Sequence, residues 1–101
     1  MSKYDKLGIK NLFLKKLIGH TGCIICVAFS PNCQKIASGS KDTKIKIWNS
    51  ETGVLDQIIE GHEGAVLSVQ YSPKERKIAS GAADNMVKIW NSETGKNLFT
   101  F

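Results

Sequence analysis

The eight letters KIWNSETG stand at Lys46–Gly53 and again at Lys88–Gly95, 42 positions apart, in a chain of 101 residues. Sliding the sequence by that period lays Gly19–Ile59 over Gly61–Phe101 without a gap, and 20 of the 41 positions coincide. Self-similarity at a fixed period of this length marks a repeat architecture. In such folds one unit cannot bury its own apolar face and needs a neighbour to cover it.

Each unit reads as four short strands. CIICVAFS (23–30) and AVLSVQYS (65–72) are rich in β-branched or aromatic residues and are closed by Ser-Pro, which turns the chain. KIASG (35–39 and 77–81) supplies a second strand, followed by a polar link containing Asp42 or Asp84. TKIKIWN (43–49) and NMVKIWN (85–91) alternate apolar and polar residues at period two, as a half-buried strand does. NSETG carries turn chemistry, and VLDQIIE (54–60) and KNLFTF (96–101) complete the set. No segment sustains a helical period. The unit is therefore a four-stranded antiparallel sheet.

Several spaced motifs recur twice in one order: Gly19-His20 and Gly61-His62, Ser38-Gly39 leading to Asp42 and Ser80-Gly81 leading to Asp84, and a closing Ile-Trp-Asn. In period, strand count and motif order the chain resembles the WD40 repeat family over residues 19–101. It departs from that family at Trp48-Asn49 and Trp90-Asn91, where the naming dipeptide is Trp-Asp; Asn caps a turn much as Asp does.

The resemblance implies an all-β fold of two blades of a WD40-type β-propeller, an open and incomplete ring. Its parts are a basic leader (1–11), a leading outer-type strand (12–18) and repeats at 19–60 and 61–101. It also implies a buried hydrogen-bond chain in each blade, Asp42, His20, Ser38 and Trp48 in the first and Asp84, His62, Ser80 and Trp90 in the second. Buried polar groups must be paired, and a satisfied network fixes one register among otherwise interchangeable short strands.

Ser, His and Asp together also spell the composition of a hydrolase triad. Here the trio occurs in both units beside a Trp able to take the Ser or His as partner, and no Gly-x-Ser-x-Gly elbow is present. No Gly-rich phosphate loop occurs either. No catalytic residue and no cofactor site is assigned.

Cys23-x-x-Cys26, with His20 and Cys33 nearby, has the spacing of a zinc site. A strand over 23–29 opposes this. Residues three apart point to opposite faces, and these two lie roughly 10 Å apart along the chain. The second unit also places Ala65, Ser68 and Glu75 at the cysteine positions. No metal ligand is assigned, and cysteine reads as a small core residue.

The net charge of +5 is uneven. Lys3, Lys6, Lys10, Lys15 and Lys16 against Asp5 place +4 in residues 1–16, which leaves +1 for the remainder. Such a leader suits nucleic acid or acidic lipid, but more often a leader of this kind is simply solvated. CIICVAF is too short to span a bilayer, and the leader lacks the apolar core of a secretory signal, so a cytoplasmic or nuclear setting with no membrane is expected.

What the resemblance implies for function is a rigid, non-catalytic platform that binds proteins or peptides. Thr21, Lys41, Thr43, Glu63, Ala83 and Asn85 would then surround one rim of the propeller channel, and they differ between the units while the skeleton repeats. Propellers close with roughly four to eight blades, so two blades imply a fragment of a longer ring or self-assembly of about three or four copies. Two other roles stand beside the scaffold. One is nucleic-acid binding through the leader with Lys41, Lys44 and Lys46. The other is a truncated product without independent function.

Overall fold

The computed structural model describes residues 21–101. The leading strand expected at 12–18, and His20 with it, lie outside the described residues. Eight strands follow in chain order: β1 (Ile24–Phe29), β2 (Lys35–Ser40), β3 (Ile45–Asn49), β4 (Leu55–Ile59), β5 (Val66–Tyr71), β6 (Lys77–Ala82), β7 (Val87–Asn91) and β8 (Asn97–Thr100). They form two four-stranded antiparallel sheets, β1-β2-β3-β4 and β5-β6-β7-β8, and the described residues contain no helix. The pair is open and does not close into a ring.

The two registers are copies of one another. Val27 faces Ser38 and Ile36 faces Trp48 in the first sheet; Val69 faces Ser80 and Ile78 faces Trp90 in the second. Both sheets bulge at the same places, between Ile24 and Cys26 and between Val66 and Ser68 in their first strands. A bulge adds local twist, which turns the start of each first strand away from its partner.

The repeated NSETG closes the β3–β4 and β7–β8 hairpins. Asn49 Oδ1 accepts from the amides of Glu51 and Thr52, both at 2.9 Å, and the Gly53 amide donates to the Asn49 carbonyl. Asn91 holds Glu93, Thr94 and Gly95 in the same way. Gly53 and Gly95 sit at φ of 74° and 76°, left-handed backbone that glycine adopts at no steric cost. The identical phrase therefore encodes one hairpin, made twice. An Asp would offer the same acceptor, which is why Trp-Asn serves in place of Trp-Asp.

The core is the space between the sheets. Ala37, Ile45, Ile47 and Ile59 of the first sheet meet Val66, Ile78 and Trp90 of the second, with Cys26, Val69 and Tyr71 packed around them. Strand pairing places Ala37, Ile45, Ile47 and Ile59 on one face of the first sheet, and Val69, Ile78, Ser80 and Trp90 on the facing side of the second. Gly39 lets them close up: a Cβ there would lie 2.6 Å from Val66 Cγ1 and 2.7 Å from Cys26 Sγ. Cys26 is thus a packing residue at the junction, and burial pushes its thiol pKa up.

Candidate functional site

Two rim knots and a buried polar chain make up the candidate site. The chain is complete in the second sheet. Asp84 Oδ2 lies 2.9 Å from His62 Nδ1, His62 Nε2 lies 2.7 Å from Ser80 Oγ, and Trp90 Nε1 donates to the same Ser80 Oγ at 2.7 Å. A carboxylate only accepts, so in the neutral ring the proton sits on Nδ1. Nε2 then accepts the hydrogen bond that the Ser80 hydroxyl donates, and the hydroxyl oxygen accepts from Trp90. Each hydrogen has one direction. His62, Ser80 and Trp90 are all buried. His62 also meets the Trp90 ring edge-on, with centroids 5.9 Å apart.

Residues 60–62 thread His62 into the interface. Gly61 is required there, because a Cβ would stand 2.7 Å from Trp90 Cη2. In the first sheet Trp48 Nε1 donates to Ser38 Oγ at 2.8 Å, with both side chains buried.

At the rim, each Asp gathers the backbone on either side. Asp84 Oδ2 accepts from the Glu63 amide at 2.9 Å and Oδ1 from the Met86 amide at 3.0 Å. Asp42 does the same for Thr21 (2.9 Å) and Lys44 (3.0 Å). Loss of solvent acts upward on the Asp84 carboxyl, but the Glu63 amide, the His62 ring and the Met86 amide outweigh it, and the pKa falls to about 2. Lys41 and Ala83 close each knot by donating their amides to Cys23 and Ala65.

The structure therefore draws Thr21, Lys41 and Thr43 around Asp42, and Glu63, Ala83 and Asn85 around Asp84. Thr43 is half-buried and the other five are exposed. Thr43 and Asn85 occupy left-handed backbone, at φ of 75° and 67°. Asn tolerates that conformation, whereas β-branched Thr is strained in it.

Two features had no signal in the sequence. Lys46, grouped above with Lys41 and Lys44 as a nucleic-acid contact, is buried between β2 and β4, and Lys44 pairs with Glu60 at 3.5 Å. Far from the knots, a cleft of about 740 Å³ opens between the sheets, lined by Pro31, Gln57, Tyr71, Pro73 and Lys74 and flanked by the ion pairs Lys35–Asp56 and Arg76–Glu93. Burial, with the Asp56 charge adding to it, pushes the Tyr71 hydroxyl up to about 12. No described residue accepts its hydrogen. The lining comes from turns and strands scattered over the chain, which no local pattern reveals.

The sequence matches the family described as WD domain, G-beta repeat, at residues 11–49 and 53–91. The chain belongs to the WD40 family. The matched windows are out of step with the sheets: 53–91 contains β4 of the first and β5 to β7 of the second. A WD40 sequence unit thus begins on the outer strand of one sheet and ends on the third strand of the next.

Among relatives, the chain is 50% identical over 44 residues to Nuclear distribution protein PAC1 of Coccidioides posadasii, which covers 44% of this chain and 9% of that protein. It is 35% identical over 52 residues to DDB1- and CUL4-associated factor 5 of Homo sapiens, covering 50% of this chain and 6% of that one. It superposes on the WD40 repeats of RRP9 with a TM-score of 0.82 at 30% identity, covering 86% of this chain and 28% of that structure. The chain thus spans under a tenth of the length of these two curated relatives. WD40 repeats are in general protein-interaction scaffolds.

Proposed function

We propose that this chain is a non-catalytic docking platform for a protein or peptide, and that the partner meets it on the rim formed by Thr21, Lys41, Thr43, Glu63, Ala83 and Asn85. One observation carries this reading. The rim side chains stand on backbone that each Asp clamps through two amides, so a variable surface is displayed on a fixed frame. A hydrolytic role for Ser80 and His62 has no support in this geometry. Ser80 Oγ is buried and already engaged by Trp90, leaving no approach for a substrate carbonyl. A cytoplasmic or nuclear setting goes with this reading, supported by Cys23, Cys26 and Cys33 all being free thiols.

The test is a quantitative pull-down with the intact chain and with the double variant Lys41→Glu, Glu63→Lys. Both positions are exposed, so folding is preserved while the charge pattern of the rim is inverted. Loss of a defined set of captured proteins supports the rim reading. An unchanged set overturns it.

A further inference from the structure

The cleft of about 740 Å³ lies at the opposite ends of the strands from the rim. The rim is carried by the β2–β3 and β6–β7 turns, whereas the cleft is lined from the β1–β2, β5–β6 and β7–β8 turns and from β4. Each sheet supplies one wall, and both walls consist of described residues.

Three polar side chains in this cleft are uncommitted. Gln57 pairs with Ile47 across β3 and β4, so its side chain shares the face that meets the second sheet. Its amide reaches the β7–β8 hairpin, where a Cβ on Gly95 would lie 2.6 Å from Gln57 Nε2. Among the described residues no hydrogen bond or ion pair engages that amide, the half-buried Ser92 hydroxyl or the exposed Lys74 ammonium. The repeat shows how unusual this is. Ser50, equivalent to Ser92, donates to the Cys33 carbonyl at 2.6 Å. Asn32, equivalent to Lys74, accepts from the Ser30 hydroxyl and the Gln34 amide inside its own turn. The second unit thus leaves free two groups that the first uses to hold its own loops together.

The rest of the lining narrows what could enter. Lys35 and Arg76 are already paired with Asp56 and Glu93, so Lys74 is the cation left without a counter-charge. Pro31, Pro73 and the Tyr71 ring offer apolar surface. The Tyr71 hydroxyl is shut off from solvent, so Tyr71 contributes its ring and not a hydrogen bond.

We propose that this cleft is a second docking site, for an extended peptide segment of a partner protein carrying one acidic side chain. A primary amide matches a peptide group, donating to its carbonyl and accepting from its N–H, which is the role of Gln57. Lys74 takes the carboxylate, with Ser92 as a further hydrogen-bonding group. The prolines and the Tyr71 ring pack an apolar neighbour of the acidic residue. Nucleic acid fits this lining less well. It needs several free cations along a phosphate track, and here Asp56 and Glu93 neutralise two of the three and repel phosphate. The site is separate from the rim and stands or falls independently of it.

The test is selection of a displayed library of random heptapeptides on the intact chain, followed by anisotropy titration of the selected peptides after synthesis with a fluorescent label. Peptides with one Asp or Glu beside an apolar residue are expected. Lys74→Glu should weaken them at least about tenfold, the worth of one charge-assisted hydrogen bond. Gln57→Ala should weaken them too, and the rim variant Lys41→Glu, Glu63→Lys should leave them unchanged. Replacing the peptide's acidic residue by Lys should restore binding to Lys74→Glu, which a merely misfolded variant could not do. Selection of no acidic peptide overturns the proposal. So does binding indifferent to Lys74→Glu, binding lost in the rim variant, or failure of the charge swap to restore affinity.

Discussion

Ser80 Oγ stands 2.7 Å from both Trp90 Nε1 and His62 Nε2, so a single buried hydroxyl ties strand β7 to the segment that enters β5. Removing it by Ser80→Ala strands a buried indole N–H and a buried imidazole nitrogen together. The expected loss is about 3 kcal/mol, since each orphaned group costs roughly 1–3 kcal/mol. Urea unfolding at fixed protein concentration measures it. A loss below about 0.5 kcal/mol, the range of an ordinary surface substitution, would mean the chain of hydrogen bonds contributes nothing to stability.

Asp84 predicts acid sensitivity. Its carboxyl titrates at about 2 in the folded chain against an ordinary value of 3.8. A depressed folded pKa stabilises at pH above the ordinary value, and that stability drains away as pH falls from 3.8 towards 2. Stability followed from pH 5 to pH 2 should therefore drop more steeply for the unaltered protein than for Asp84→Asn, whose amide oxygen still accepts hydrogen bonds but does not titrate. Parallel curves would show that Asp84 is not the linked group.

Thr43 and Asn85 hold the same turn position with left-handed φ of 75° and 67°. Replacing Thr43 by Asn relieves the β-branched strain and should stabilise by about 1 kcal/mol, the low end for such backbone outliers. The reverse change, Asn85→Thr, should destabilise by a similar amount. Thermal melts of the pair check both signs. Two shifts of the same sign would refute backbone strain as their cause.

Gly61→Ala drives a methyl to within 2.7 Å of Trp90 Cη2. The ring is fixed by its bond to Ser80, so the accommodation falls on the sheet interface and should cost about 1–3 kcal/mol. A shift in tryptophan emission should accompany the lost stability, because Trp90 must move. Unchanged emission with unchanged stability would mean the linker backbone yields instead.

The sequence made the strands legible because their alternation, turn residues and motif order recur at a fixed interval. Six of the eight lie within the span read for them, and β2 and β6 run one residue beyond, to Ser40 and Ala82. His62, Ser80, Asp84 and Trp90 could be grouped through the family resemblance, and their hydrogen bonds follow from a register that places Ser80 one strand away from Trp90. Exposure was not legible. Ile45 and Val87 are equivalent in the repeat and alike in chemistry, yet one is buried and the other half open, because burial depends on what lies against a sheet and not on the sheet's own residues. Lys46 escaped for the same reason: alternation counts it as an outward residue, and the fold covers both sides of the first sheet at that point.

The offset between sequence unit and sheet has an evolutionary consequence. A segment copied from the start of β4 to the end of β7 carries the outer edge of the sheet it leaves and three strands of the one it founds. Tandem duplication of that segment would bring its own coupling with it. Lengthening such a protein then requires no newly invented junction, and shortening it by one unit leaves ends of the same kind as before.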